Sequence, residues 1–92
     1  MDHSVRVPIA ALGSARARPA FEERVAVLAQ AYRTGAPPKP IPVCVTATGR
    51  LDLNREGNHR LAAARLSGVS HVLVTCDAED IVKVEQIARR FA

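Results

Sequence analysis

The sequence Arg55-Glu56-Gly57-Asn58-His59-Arg60 lies between a β-like stretch, residues 41–53, and an alanine-rich helical stretch, residues 61–67. A glycine followed by polar and cationic residues at the start of a helix is typical of a phosphate-binding turn. The first helical N–H groups point outward there, and the helix dipole adds about half a positive charge. The two arginines and the histidine would add side-chain donors, since a guanidinium can hold two phosphate oxygens at once. The alternative interpretation is a solvated helix start with a glycine turn, because so short a motif is common.

A predicted hairpin precedes this turn. Residues 43–47 are mostly apolar and β-branched, Thr48-Gly49-Arg50 is typical of a tight turn, and residues 51–54 alternate apolar with polar side chains. Residues 36–42 contain four prolines, which exclude a helix and predict an extended lead into the hairpin. The phosphate turn is therefore expected where the hairpin ends.

The N-terminal third of the chain predicts one strand, one loop and one helix. Residues 5–9 alternate apolar with polar side chains and predict a strand, and residues 11–18 predict a loop. A helix is expected from Pro19 to Arg33, because proline suits the first helical turn and Gly35 can end the helix in the left-handed conformation. Apolar side chains at helical spacing would line one face of it: Phe21, Val25, Leu28 and Tyr32.

The C-terminal third predicts a helix over residues 58–67, a strand over residues 71–75 and a last helix. The continuous apolar centre of the strand predicts a buried position in the sheet. Asp77 is expected to cap the last helix. An apolar stripe on that helix could be a core face or a partner surface: Ile81, Val84, Ile87, Ala88 and Phe91.

The order strand, helix, strand, strand, helix, strand, helix predicts an α/β (α+β) fold. We expect one small domain over residues 1–92, with a mixed four-stranded sheet and about three helices. Aromatic residues make up only 3% of the chain and hydrophobic residues 48%, so the core must be built from Val, Leu, Ile and Ala.

The charge of the chain favours an anionic partner, since the formal net charge is +4 and the sequence pI is about 9.8. The basic residues are spread along the chain, and the sequence has no aromatic platform of the kind that single-strand binders use. The net positive charge therefore indicates a nucleotide, a nucleic acid or an acidic protein as the partner and does not distinguish these three.

The two cysteines, Cys44 and Cys76, both lie in apolar β-like runs, which predicts buried, reduced thiols and a cytoplasmic location. No apolar stretch approaches the roughly 20 residues of a membrane span, so no membrane partner is expected. The N-terminus lacks the basic-then-apolar order of a signal peptide. The sequence contains no cluster of cysteine and histidine residues, so no zinc site is expected.

Three features together resemble the ParB/sulfiredoxin superfamily. The first is a short strand, a loop and a helix that ends at Gly35. The second is Pro40-Ile41-Pro42-Val43, which is similar to the family's Pro-Ile-x-Val strand start. The third runs from Glu56 to Ala64, continues through Gly68 and residues 71–75, and is similar to the family's acidic-Gly-x-His-Arg box with its helix and strand. The chain looks like a ParB N-terminal-like domain on these grounds.

The resemblance implies that a nucleotide phosphate is seated on the Gly-x-His-Arg turn. ParB proteins bind and hydrolyse CTP and clamp DNA, sulfiredoxins use ATP to repair an over-oxidised cysteine, and some relatives are serine kinases. Carried over to this chain, Gly57 would permit close backbone approach, Asn58 and His59 would offer N–H groups, and Arg60 would hold phosphate. His59 would also be a catalytic candidate, because an imidazole can supply a proton near neutral pH.

For each activity of the family, residues 1–92 lack one feature that the activity requires. Sulfiredoxins place their reactive cysteine where this chain has Asn58, and an amide cannot attack as a thiolate does, so sulfiredoxin activity is excluded. The kinase-like relatives use a carboxylate in the loop after the first strand, whereas residues 12–19 contain no Asp or Glu. A DNA clamp of the ParB type also needs domains that residues 1–92 do not include.

Four further residues complete the predicted site. Glu56 is the candidate catalytic base and the candidate ligand of Mg²⁺, with a simple ion pair as its alternative role. Arg55 lies beside it in the box. Arg16 and Arg18 lie in a loop that could reach the same phosphate, or could be a solvated basic loop.

Three functions remain open at this point. The first is binding of CTP or ATP, with hydrolysis or phosphoryl transfer as the reaction class if the protein is an enzyme. The second is a nucleic-acid-binding or nuclease-like module, which the pI and the loop arginines favour. The third is a non-catalytic interaction module, in which the stripe of the last helix would form a homodimer or another interface.

Overall fold

A computed structural model describes residues 3–13, 22–54 and 57–92 of the chain. The strands are β1 (His3–Pro8), β2 (Ile41–Val45), β3 (Leu51–Leu53) and β4 (His71–Cys76). The helices are α1 (Glu22–Arg33), α2 (Asn58–Ser67) and α3 (Ile81–Arg90), with short 3₁₀ turns at Ile9–Ala11 and Ala78–Asp80. The predicted α/β (α+β) class, with a mixed four-stranded sheet and three helices, is confirmed.

The four strands form one sheet in the order β1-β4-β2-β3. β1 runs antiparallel to β4, with Val7 opposite Val72, and β2 runs antiparallel to β3, with Val45 opposite Leu51. The central pair is parallel, since Ile41 of β2 lies opposite Val74 of β4. Leu12 adds an isolated parallel bridge to Leu51, so the chain passes from one edge of the sheet to the other before α1 begins.

One face of the sheet forms the main core. Val7, Ile41 and Val74 are buried on this face, and β4 alternates buried with more exposed positions along its length. Leu61 of α2 and Val84 of α3 are fully buried in the same cluster, so both helices cover this face. The core contains small aliphatic side chains, as the composition predicts.

α1 packs on α2 rather than on the sheet. Val25 and Ala29 of α1 are buried with Ala63 of α2 in a second, smaller cluster, against which Leu28 and Tyr32 are packed. Alanines at the contact let the two helices approach closely. The predicted apolar face of α1 is confirmed at Val25, Leu28 and Tyr32, whereas Pro19 and Phe21 lie outside the described residues.

The second face of the sheet is more open than the sequence predicts. The prediction that β4 is fully buried is wrong for Leu73, which is 43% exposed. The prediction that Cys44 is buried is also wrong, because Cys44 alternates with the buried Ile41 and Val43 and so points to the opposite face. Cys76 is buried as predicted, and the two cysteines are not joined by a disulfide.

The element boundaries differ from the sequence-based predictions in three places. β1 begins at His3 and ends at Pro8, and β2 begins at Ile41 rather than Val43. Pro42 lies within this strand opposite Thr75 of β4, and its carbonyl accepts the N–H of Asn54 at 3.0 Å. Asp77 does not cap the last helix: it precedes the 3₁₀ turn, and its side chain makes no capping hydrogen bond.

The apolar stripe of α3 is a core face. Val84 and Ile87 are buried in the main cluster, and Ile81, Ala88 and Phe91 pack against it. In the part of the chain that the structure describes, no helix is both long and apolar enough to span a membrane.

Candidate functional site

Gly57 sets the geometry of the predicted phosphate turn. It precedes α2 in the left-handed conformation, with φ 106° and ψ 1°. A Cβ at this position would lie 2.8 Å from Cγ2 of Ile41, closer than real side chains approach each other. Both the backbone conformation and the contact with β2 therefore require glycine here. The absence of a side chain at Gly57 therefore lets its backbone pack closely against Ile41 in the core of the protein.

The start of α2 is defined by its first hydrogen bond, which the N–H of Leu61 donates to the carbonyl of Gly57 at 2.8 Å. The N–H groups of Asn58, His59 and Arg60 belong to the first turn of the helix, ahead of that bond. The helix dipole is therefore positive at the position that the sequence predicts for phosphate.

A cleft of about 350 Å³ lies beside this helix start. It is built from three parts of the chain: α1, the proline-rich segment before β2, and the first turn of α2. Its lining combines cationic with apolar groups and consists of Arg24, Leu28, Pro38, Lys39, Gly57, His59 and Arg60. This lining contains no carboxylate, so the cleft formed by the described residues is suited to an anion.

Arg60 is both a lining residue and a structural tie. Its Nη1 atom donates to the carbonyl oxygens of Lys39 at 3.1 Å and Pro40 at 2.7 Å. These bonds hold the proline-rich segment against α2 and so fix one wall of the cleft. The sequence predicts only the phosphate-binding role for Arg60, because its carbonyl partners lie about twenty positions earlier in the chain.

Tyr32 lies close enough to Arg60 for the two side chains to interact electrostatically. Burial raises the pKa of Tyr32 above its usual value, and the positive charge of Arg60 lowers it by a smaller amount. The half-buried phenol is therefore held in its neutral form next to the cleft, and its ionisation reports on the guanidinium.

The structure brings together some of the predicted site residues and leaves others untested. Gly57, His59 and Arg60 line the cleft, whereas Asn58 lies in the same turn but is not part of the lining. The remaining predicted residues lie outside the described part of the chain: Arg16, Arg18, Arg55 and Glu56. The expected base and Mg²⁺ ligand at Glu56 thus stays a prediction.

Sequence reasoning missed Arg24 and Lys39, the two cations that face the turn from other elements. Arg24 lies one position before Val25 on a helix whose apolar face was predicted, and Lys39 stands among prolines. The only local signal is a positive charge, and the chain contains 13 lysines and arginines in all. Their convergence comes from the packing of α1 on α2. Across residues 3–13, 22–54 and 57–92, no three His, Cys, Asp or Glu side chains are grouped as metal ligands.

Two solved structures are similar to this chain over most of its length. Sulfiredoxin from Arabidopsis thaliana superposes with a TM-score of 0.67 at 19% identity, over 82% of this chain and 84% of the other. C-terminally truncated chromosome-partitioning protein ParB from Caulobacter crescentus, complexed with CTP-gamma-S, superposes with a TM-score of 0.67 at 22% identity. That match covers 98% of this chain and 53% of the ParB chain, so this chain spans about half of its length.

The chain has the ParB/sulfiredoxin fold. The resemblance in the sequence predicts this fold, and the two superpositions confirm it. No protein-family model matches the sequence, and a search of curated proteins finds no match either. The likeness therefore rests on three-dimensional structure.

The ParB/sulfiredoxin fold places the end of β3 and the start of α2 next to the lead into β2. Gly57 faces Ile41 and Pro42 across this junction, since an added Cβ would lie 2.8 Å from Ile41 and 3.7 Å from Pro42. Arg60 reaches the carbonyls just before them. The cleft is a consequence of this packing, since the proline-rich segment cannot form a helix and instead runs extended along α2.

Proposed function

We propose that this domain binds the phosphate groups of a nucleoside triphosphate in the cleft beside the start of α2. The observation that carries the proposal is the convergence of Arg24, Lys39 and Arg60, from three parts of the chain, on a cleft whose described lining has no carboxylate. The similar ParB structure was determined with CTP-gamma-S, which supports CTP as the first ligand to test. ATP is the second, because the family resemblance of the sequence implies it.

The charge of the cleft supports an anionic ligand. A unit charge about 4 Å from an opposite one gains roughly 1 kcal/mol in bulk water and about 4 kcal/mol at the effective dielectric constant near a protein surface. Three permanent cations with no opposing carboxylate among the described lining residues can therefore offset the desolvation of a polyphosphate. The dipole of α2 adds to the same potential.

The size and the apolar part of the cleft support a nucleotide over inorganic phosphate. A volume of about 350 Å³ is at the lower end of the range for ligand pockets, roughly 300–1,000 Å³. Leu28 and Pro38 add apolar surface to the lining beside the cationic groups, and such surface suits a sugar or a base. The phosphates would be held by the cations and the nucleoside would be partly exposed.

Hydrolysis or phosphoryl transfer is a further prediction about the same site. His59 lines the cleft and is the candidate to move a proton. Glu56, the predicted base and Mg²⁺ ligand, precedes Gly57 directly in the chain. Sulfiredoxin chemistry is not proposed, because Asn58 replaces the reactive cysteine and Cys44 belongs to β2, on the face of the sheet opposite the core.

The test is thermal stability of the protein with CTP, ATP, ADP, GTP and UTP, each with and without Mg²⁺. A ligand at about 100 times its dissociation constant adds roughly 2.7 kcal/mol of stability. Arg24→Gln and Lys39→Gln should each reduce the nucleotide-dependent shift while leaving the unliganded protein stable. Arg6→Gln is the matched control, because it removes the same charge from an exposed position on β1.

Arg60 is a poor first choice for this test because its loss would also release the carbonyls of Lys39 and Pro40. A shift with one nucleotide that is weakened by the two cleft variants, and not by the control, supports the proposal and names the base. No shift with any of the five nucleotides overturns it.

A further inference from the structure

A second group of arginines lies at the other end of the β2–β3 hairpin, and we refer to Arg50 and Arg90 as the hairpin-tip pair. The guanidinium carbon of Arg50 lies 5.3 Å from the centroid of the Phe91 ring. A Cβ added to Gly49 would lie 3.4 Å from Nη1 of Arg90, so that guanidinium rests against the same turn. Two side chains distant in sequence thus place two positive charges on one hairpin tip.

The hairpin-tip pair has no internal neutralising partner in the described chain. Both arginines are exposed, and neither forms an ion pair with a carboxylate among residues 3–13, 22–54 and 57–92. Like charges brought together without a counter-charge repel each other, so the arrangement is stabilised when an anion bridges them.

The turn that carries Arg50 is restrained by its own hydrogen bonds, and Arg90 approaches it from the end of α3. The N–H of Thr46 donates to the carbonyl of Arg50 at 2.8 Å, and the N–H of Gly49 donates to the carbonyl of Thr46 at 3.0 Å. The N–H of Arg50 donates to Oγ1 of Thr46 at 3.0 Å, and this oxygen lies 3.0 Å from the hydroxyl of Thr48. Stacking on Phe91 further restrains Arg50, which reduces the entropy lost when it binds an anion.

We propose that the hairpin tip binds the phosphodiester backbone of a nucleic acid through Arg50 and Arg90. The two N–H groups on one side of a guanidinium match the geometry of two phosphate oxygens. Exposed threonine hydroxyls, such as that of Thr48, are common additional donors to a nucleic-acid backbone. No exposed large apolar side chain lies on this turn among the described residues, which disfavours a protein interface with an apolar centre. Such a contact recognises the negative charge of the backbone and does not distinguish base sequences.

This surface is separate from the nucleotide cleft. β2 begins at Ile41 beside the proline-rich wall of the cleft and ends at Val45 beside the hairpin turn. At about 3.3 Å per residue, the two sites are roughly 15 Å apart along this strand. A nucleotide and a nucleic acid can therefore be bound together, and the present proposal does not depend on the nucleotide one.

The experiment measures binding of fluorescently labelled single-stranded and duplex oligonucleotides of mixed sequence by anisotropy, from low to physiological salt. The test variant is Arg50→Gln/Arg90→Gln. Its control is Arg6→Gln/Arg33→Gln, which removes the same net charge from exposed positions on β1 and α1, outside both proposed sites. Both double variants are checked for wild-type unfolding in urea, so that a loss of binding cannot be a loss of fold.

We expect the hairpin-tip variant to bind at least tenfold more weakly, and the control to remain within about threefold of wild type. The slope of log K against log salt should become less steep by about one to two units, since each lost phosphate contact accounts for roughly 0.7–0.9. Equal loss in both double variants would show a general charge effect and would overturn the site. Absence of wild-type binding at low salt, or tighter binding of polyglutamate than of the oligonucleotides, would overturn it as well.

Discussion

Nη1 of Arg60 lies 2.7 Å from the carbonyl oxygen of Pro40, and this contact ties the first turn of α2 to the segment that precedes β2. The same nitrogen also donates to the carbonyl of Lys39 at 3.1 Å. An arginine expected to hold a ligand is thereby shown to hold the wall of the site in which the ligand would lie.

Replacing Arg60 with alanine should therefore destabilise the unliganded protein. Hydrogen bonds from a charged donor contribute about 1.5–3 kcal/mol when buried, and Arg60 is only half-buried, so we expect a loss of about 1–2 kcal/mol. The free energy of unfolding in urea measures it. Arg33→Ala is the matched control, because Arg33 makes one exposed bond of 3.3 Å to the carbonyl of Leu66 and should cost under about 0.5 kcal/mol. Equal stability of the two variants would contradict a structural role for Arg60.

Gly57→Ala should be more destabilising than an ordinary glycine substitution. The left-handed backbone alone costs an alanine about 1–2 kcal/mol, and the added Cβ would also meet Cγ2 of Ile41 at 2.8 Å. We expect a total loss of about 2–4 kcal/mol in urea unfolding. Gly35→Ala separates the two causes, since Gly35 has φ 79° but nothing within 4 Å of its added Cβ. If both variants lose the same free energy, the contact with Ile41 is unimportant.

The chain's one tyrosine, Tyr32, gives a direct measure of the charge beside the cleft. Burial raises the pKa of Tyr32 above 10.0, and Arg60 lowers it by a smaller amount. Titration of tyrosinate ultraviolet absorbance should therefore show a midpoint above that of the unfolded chain. Arg60→Gln should move the midpoint further upward, whereas Arg33→Gln should not. A downward shift in Arg60→Gln would contradict the proximity of the two side chains.

The same shift makes stability fall at high pH. Because the pKa of Tyr32 is higher in the folded than in the unfolded state, the unfolded chain loses the proton first. The contribution of Tyr32 is fully present below about pH 10 and is lost as the pH rises through its folded pKa. Tyr32→Phe should remove this part of the pH dependence of unfolding. An unchanged pH profile in that variant would assign the loss of stability to other groups.

The fold was predictable because its signals are local in sequence. Gly49 and the alternation after it predict the hairpin, and Gly57 and Gly68 bound α2 as expected. The face on which each strand residue lies depends on register and on which face the helices cover. For that reason the sequence predicts core positions for Cys44 and Leu73, although both are exposed.

The site was predictable only where it is contiguous. Gly57, His59 and Arg60 line the cleft and belong to one turn, which the sequence predicts as a phosphate site and which stays a prediction. Arg24 and Lys39 join them only after α1 has packed on α2, a contact made through small side chains that carry no chemical signal. The second role of Arg60 was hidden for a related reason, since its acceptors are main-chain carbonyls and any residue type would supply them.

The packing of α3 allows a test between a core face and a partner surface. Val84 is 0% exposed and Val82 is 60% exposed, so the two residues offer the same substitution in opposite environments on one helix. Val84→Ala should lower the free energy of unfolding by about 2 kcal/mol, because it removes buried methyl groups and leaves a cavity. Val82→Ala should change it by less than about 0.5 kcal/mol.

Unfolding should be measured at two protein concentrations that differ at least tenfold. If the stripe of α3 packs within one chain, the loss in Val84→Ala is the same at both concentrations, because no association is involved in forming that contact. If the stripe were instead buried between two chains, the stability of the wild type would rise with concentration and that of Val84→Ala would rise less. A concentration dependence that appears in Val82→Ala and not in Val84→Ala would place an interface on the exposed side of α3, away from the core.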